Sequence, residues 1–429
     1  MLSIVLFGTM LVLFALNVPI PFSLGLAAAA ALLTMPNVSL EVVVQRMFYG
    51  LNSFIILCAP LFLLLGELME AAKITDRLVE FAQALVGRFR GGLGHVAVVT
   101  NMIMAGISGS GTADAAATGV VLVPTMIKSG LSVPFSAALV GASATIGPII
   151  PPSIIMVIYA SIANVSVGRL FLGGVVPGVL MGLFLMAMTA VAARRLDLKR
   201  GEAVTVRQLA RATARASLVL LTPLIVIVGI VGGVFTATES AGIACVYALV
   251  LGLGIYRTVT LKDLPGICSR AVLTTGKVMF VVAAASVFSW ILARGGVPAQ
   301  LARLPVFSDA SKPWLILLVL NVLLLILGCL MESIAILLVI TPIIVPIAQG
   351  AGIDLIHLGV VMSLNLSIGL ITPPFGTVMF VLCGISRCSI PAFSREVVPF
   401  IGALILVLML MTHIPELVLF LPNLLMGQQ

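Results

Sequence analysis

The residues from Gly106 to Asp114 read Gly-Ile-Ser-Gly-Ser-Gly-Thr-Ala-Asp, setting three hydroxyls and one carboxylate among three glycines. Glycine admits tight backbone angles that other residues avoid. Its carbonyls, together with the hydroxyls of Ser108 and Ser110, are hard oxygen donors suited to a small cation such as Na⁺. A half-helix beginning near Thr112 would aim the positive end of its dipole at the same spot, where an anion could sit. A second short polar break, Gly328-Cys329-Leu330-Met331-Glu332-Ser333, carries the same elements more sparsely. Two proline breaks, Gly147–Pro152 and Gly369–Pro374, free further carbonyls beside Ser143, Thr145, Ser367 and Thr372. The expected cation donors are Ser108, Gly109, Ser110, Thr145 and Gly147 for one site. Gly328, Glu332, Gly369, Thr372 and Pro373 serve a second, while Ser110, Thr112 and Thr372 would face a substrate.

Each of these residues also has a structural alternative. Ser-Gly-Ser could be a small-residue face on which helices pack. Asp114 and Glu332, as intramembrane carboxylates, are candidates for function, yet each could cap its own half-helix. Thr236-x-x-Glu239 fits a capping box. Lys277 and Arg294 fall near span ends, where long basic side chains snorkel. Gly106-Ile107-Ser108-Gly109 also matches the GxSG of intramembrane serine proteases. A base is missing, however: His95 lies about 20 Å away along the same helical arm, and His357 and His413 fall near membrane edges. No HExxH, Walker A or GxGxxG motif accompanies the spans.

Composition says which elements must position these residues. The 429 residues are 61% hydrophobic and 9% charged, with mean hydropathy +1.28 and net charge +8. Soluble domains sit near 45–50% apolar and about 25% charged. A soluble enzyme, a secreted disulfide scaffold and a nucleic-acid-binding protein are thereby excluded. The class is an all-α polytopic membrane protein in a lipid bilayer, with room for at most about 13 crossings. The six cysteines form no CxxC or Cys/His cluster, so neither zinc nor a disulfide framework is implied.

Apolar runs place spans near 2–17, 20–35, 52–70, 170–193, 216–234, 239–256, 273–293 and 397–421. Residues 94–127 and 313–350 form pairs of runs too short to cross comfortably, so each reads as a re-entrant helical hairpin. Residues 134–161 and 357–385 read as Pro-broken helices. The loop 194–215, with Arg194, Arg195, Lys199, Arg200, Arg207, Arg211 and Arg215, marks the cytoplasmic face. Threading outward from it leaves Arg46, Arg169, Arg294, Arg303 and Lys312 outside, and both termini exterior. Gly147-Pro148-Ile149-Ile150-Pro151-Pro152 recurs as Gly369-Leu370-Ile371-Thr372-Pro373-Pro374, 222 residues on. Gly130 and Gly352 share that offset, while Asp114/Glu332 and Pro124/Pro342 are offset by 218. The copies, 52–193 and 216–393, begin on opposite faces, an inverted repeat of the kind that marks secondary transporters.

Beyond these breaks, the chain resembles the large membrane subunit of tripartite ATP-independent periplasmic (TRAP) transporters over essentially its whole length. The likeness runs through Ala59-Pro60-Leu61-Phe62, Gly91-Gly92-Leu93, Ser108-Gly109-Ser110, Ala113–Gly119, Gly147–Ser153 and Pro177-Gly178. It continues through Phe235–Ala241, Gly352-Ile353-Asp354 and Thr372-Pro373-Pro374-Phe375-Gly376. Gly111 stands where a second serine is common, Phe375 where valine is usual, and Glu332 where aspartate is frequent. The resemblance implies a bacterial inner-membrane subunit that works with a small four-helix membrane subunit and a periplasmic substrate-binding protein. It further implies Na⁺-driven import of a carboxylate-bearing solute, such as a C4-dicarboxylate, sialic acid or another sugar acid. Movement would be elevator-like, carried by the hairpins and broken helices. A stand-alone elevator-type anion symporter or exporter is the alternative in the same class.

Overall fold

The computed structural model describes residues 2–35, 38–198, 200–201, 204–303 and 312–427. Among them the secondary structure is helical, apart from one isolated bridge between Arg90 and Arg200. Six helices are long and apolar enough to cross a membrane: Val167–Arg195, Val206–Val231, Ala237–Ile255, Leu264–Arg294, Ser333–Gly350 and Ile390–His413. The protein is therefore an all-α, multi-spanning membrane protein.

One group of helices surrounds α13 (Leu264–Arg294). α2 (Ile20–Leu32), α3 (Glu41–Leu51) and α4 (Cys58–Ala71) all pack on it, with α1 (Leu2–Ala15) against α2. α4 also packs on α12 (Ala237–Leu249), which continues as a π-helix over Val250–Ile255. α11 (Val206–Val231) lies between α12 and α5 (Ile74–Val86). The capping box expected at Thr236 and Glu239 is present and opens α12.

The second group holds the interrupted segments. α6 (Gly92–Ser108) and α7 (Gly111–Lys128) form the first hairpin, and α8 (Val133–Ala144) and α9 (Ile154–Ala163) the first broken helix. Their counterparts are α15 (Pro313–Gly328) with α16 (Ser333–Gly350), and α17 (Leu355–Gly369) with α18 (Thr377–Ser386). Each hairpin packs on the broken helix of its own half, α6 and α7 on α8, α15 and α16 on α17. The halves also interlock reciprocally, because α7 packs on α18 while α16 packs on α9. α10 (Val167–Arg195), α19 (Ile390–His413) and α20 (Pro415–Met426) close this group. α14 (Val297–Ala302) is a short helix following α13.

Several expected boundaries move. The span placed at 273–293 is the 31-residue α13, so Lys277 stands well inside a helix rather than at its end. Arg294 is its last residue and lies 5.4 Å over the Trp290 ring. The span placed at 397–421 divides at Ile414, whose φ of −123° leaves the helical region. The cause is Pro415, which disfavours the helical conformation in the residue before it. α3 and α5 were not anticipated, because charges at helical spacing dilute their apolar runs. In α5 the buried residues Ile74, Leu78, Ala82 and Val86 follow a four-residue period along one face. The basic segment 194–215 is only partly loop: α10 runs to Arg195, and Arg207, Arg211 and Arg215 lie on α11. Lys199 lies outside the described residues.

Candidate functional site

The first hairpin turns because Gly109 takes φ +63°, in the left-handed region. Ser110 then caps α7, its hydroxyl accepting from the Ala113 N–H. The capping job that Asp114 could have held thus falls to Ser110. Asp114, fully buried, accepts instead from the Ser108 hydroxyl at 2.5 Å through Oδ1. Its Oδ2 has no hydrogen-bond partner among the described residues. A buried carboxylate oxygen without a partner is costly unless the group is neutralised, by a proton or by a cation. Ser108 spends its hydroxyl on a carboxylate rather than on a histidine, which does not suit a protease nucleophile.

Glycines let this tip dock on the first helix break. A methyl added at Gly147 would stand 2.6 Å from Asp114 Oδ2 and 3.0 Å from the Gly111 nitrogen. One at Gly109 would collide with the Pro152 carbonyl oxygen, and one at Gly111 would lie 2.9 Å from the Ala144 carbonyl oxygen. The break itself is held by Ser153, whose hydroxyl accepts from the Met156 N–H at 3.2 Å and donates to the Pro148 carbonyl. Deeper in, Asn101 donates to Ser143 Oγ at 2.6 Å and accepts from Thr118 at 3.1 Å.

The helices from Pro313 to Ser386 make comparable contacts with different side chains. Gly328 meets Gly369 so closely that a methyl on Gly369 would lie 3.0 Å from the Gly328 Cα. Asn321, on the first arm, accepts from Asn365 at 3.0 Å and donates to Thr412 at 2.8 Å. Ser333 donates to the Leu366 carbonyl at 3.1 Å. Glu332 occupies the position before α16 without capping it, and its side chain is exposed. Both proline breaks carry a cis bond, Pro151–Pro152 and Pro373–Pro374.

The two tips meet around a cavity of about 170 Å³. Gly109, Ser110, Thr112 and Glu332 line it, as do Ser333 and Thr377, which sequence reading did not single out. Leu63 of α4 and Thr274 and Val278 of α13 supply the opposite wall. The other expected site residues, Ser108, Thr145, Gly147, Gly328, Gly369, Thr372 and Pro373, are not among the lining. Thr145 donates to the Ala142 carbonyl at 2.6 Å, and Thr372 to the Ile368 carbonyl at 2.7 Å. Thr377 Oγ1, at the start of α18, is buried without a partner among the described residues. The asparagines were also missed. Their signal was an amide within each apolar first arm, facing a polar residue in the broken helix of the same half.

The sequence profile of the tripartite ATP-independent periplasmic transporter, DctM component, matches residues 7–417. The sialic acid TRAP transporter large permease protein SiaM of Vibrio cholerae is 38% identical over 98% of each chain. The C4-dicarboxylate TRAP transporter large permease protein DctM of Pseudomonas aeruginosa is 39% identical over 94% of each. Among solved structures, the YdaH transporter of Alcanivorax borkumensis superposes with a TM-score of 0.62, covering 94% of this chain and 97% of its own. Its 13% identity makes that a likeness of fold alone. A near full-length match to one profile, over a helical membrane fold with both polar tips in place, assigns the chain to the DctM family of TRAP transporter large permeases.

Proposed function

We propose that the chain is the translocating subunit of a Na⁺-coupled importer of a carboxylate-bearing solute, working by an elevator movement of its second helix group. The observation that carries this reading is the pair of glycine-docked tips converging on one small cavity, largely apolar but set with the hydroxyls of Ser110, Thr112, Ser333 and Thr377 and the carboxylate of Glu332. In hydrocarbon, broken backbone persists only where it is buried in protein or lines a wet path. Paired breaks of this kind are how secondary transporters hold ions and anionic cargo near mid-membrane.

The donors suit Na⁺ as a transported ion. The first tip offers oxygen donors: carbonyls of the turn, the Ser108 hydroxyl, and the partnerless Oδ2 of Asp114. The second site would use the carbonyls at Gly328, Gly369 and Pro373 with Glu332 and Thr372. Ser110, Thr112 and Thr377, which line the cavity at the N-terminal ends of α7 and α18, would meet the cargo there, where helix dipoles favour an anion. The inverted repeat read from the sequence is supported by the reciprocal packing of α7 on α18 and α16 on α9. Partners follow from family membership: a small membrane subunit and a periplasmic binding protein that delivers the solute. Sialic acid and C4-dicarboxylates are the cargo classes in the names of the two relatives.

The test is reconstitution of all three components in proteoliposomes. Accumulation of a delivered carboxylate should follow an imposed inward Na⁺ gradient and vanish when choline replaces Na⁺. Accumulation that ignores Na⁺ overturns the coupling, and transport by this chain alone would favour a stand-alone symporter.

A further inference from the structure

We propose that Lys277 is the carboxylate-recognising cation of the cargo cavity, facing Glu332 when the cavity is empty of cargo and the cargo carboxylate when it is filled. The inference rests on the reading of that cavity as the cargo site, and it adds a recognition element from the wall opposite the tips.

Three observations converge on Lys277. It is the fourteenth residue of the 31-residue α13, so it stands inside the helix rather than at its end. Its neighbours on the helix, Thr274 three residues before and Val278 one after, both line the cavity with Ser110, Thr112 and Glu332. Residues three apart share a helix face, so the Lys277 side chain leaves α13 on the face that carries Thr274, at the depth of the tips. Glu332 lines the cavity that this part of α13 helps to wall. Lys277 and Glu332 are nevertheless not in contact: among the described residues the ion pairs are Arg215–Glu80 and Arg270–Glu67. Lys277 is exposed and holds no hydrogen bond or ion pair among them.

Charge makes this position consequential. The cavity lining contains one charged residue, Glu332, and no cation. Asp114 is buried just behind the first tip. A carboxylate entering beside Glu332 would be repelled unless a cation stood within reach. Lys277 supplies the missing charge. It belongs to the helix group built around α13, whereas Glu332 belongs to the second hairpin, which packs on α13 through α16. A movement of the hairpin along α13 would part the two charges. Lys277 would thus greet the cargo in one position and lose it in the other, which is what release requires.

The experiment has two arms. In the three-component proteoliposomes, uptake is measured for succinate, N-acetylneuraminate and gluconate in wild type, Lys277→Gln and Lys277→Arg. Lys277→Gln should raise KM at least tenfold for whichever acid the wild type accumulates, with the Na⁺ dependence of the residual uptake intact. Lys277→Arg should restore most of the loss. An unchanged KM in Lys277→Gln overturns the proposal and leaves Lys277 a lipid-facing residue. Wild-type uptake that ignores Na⁺ strikes the proposed coupling instead and leaves Lys277 to its own result. The second arm needs no cargo. In a background without the six native cysteines, Lys277→Cys with Glu332→Cys should be joined by a short bifunctional methanethiosulfonate, used because a direct disulfide needs Cα atoms within about 7 Å, while Val272→Cys with Glu332→Cys, on another face of α13, should not. Failure of the Lys277 pair to cross-link overturns the juxtaposition on which the proposal stands.

Discussion

At the scale of single residues, the tip of the first hairpin works through two kinds of contact: one buried hydrogen bond and several glycine approaches. Ser108→Ala removes the donor that Asp114 Oδ1 accepts from. A buried acceptor left bare costs about 1–3 kcal/mol, so the melting temperature in detergent should fall. If Asp114 helps hold Na⁺, stabilisation by NaCl over choline chloride should shrink in the same variant. Gly147→Ala should abolish Na⁺-driven uptake, because its methyl meets Asp114 Oδ2 and the Gly111 nitrogen together. Gly8→Ala is the matching control, since nothing lies within 4 Å of its added methyl. An active Gly147→Ala would show that the tip can move off the break without loss. The sequence made Ser108, Gly109 and Gly147 candidates through their residue types alone. It could not tell that Ser110 caps α7 while Asp114 does not, because both residue types cap helices and only geometry chooses between them.

Elements were legible where hydrophobicity is continuous or is cut by proline and glycine. The helices α6 to α9 and α15 to α18 break where glycine and proline cut the apolar runs, since Gly109 and the two Pro-Pro pairs have few conformational options. The capping box at Thr236 was legible for the same reason: its chemistry is local. Glu239 Oε2 accepts from the Thr236 N–H and hydroxyl, both at 2.8 Å. Thr236→Ala should therefore cost about 1 kcal/mol of stability, read as a lowered melting temperature with KM unchanged. Glu239→Gln keeps an acceptor and should cost less. The elements that escaped notice, α3 and α5, are amphipathic. Their charges hide them from a hydropathy scan, and what makes them helices is the apolar face they offer to neighbours, which no local pattern reveals.

For the molecule as a whole, charge placement makes a prediction about sidedness. In a background without native cysteines, Arg200→Cys should react with a membrane-impermeant maleimide only in inside-out vesicles. Gly427→Cys, at the end held by the Arg169 guanidinium through the Gly427 carbonyl at 2.6 Å, should react only in right-side-out spheroplasts. The reverse pattern would invert the proposed orientation. By itself the sequence determined the membrane location, the helical class, the doubled set of breaks and the family likeness. Each of these follows from composition or short-range pattern, which the insolubility of bare backbone in lipid makes nearly obligatory. Tertiary structure decided what no short window contains. It joined tips 218 residues apart around one cavity and set Asn101 on Ser143 and Asn321 on Asn365. It also set Lys277 between Thr274 and Val278, which line the same cavity as Glu332. Those pairings depend on which helices lie side by side, and packing between distant segments is the part of the physics that a one-dimensional reading leaves out.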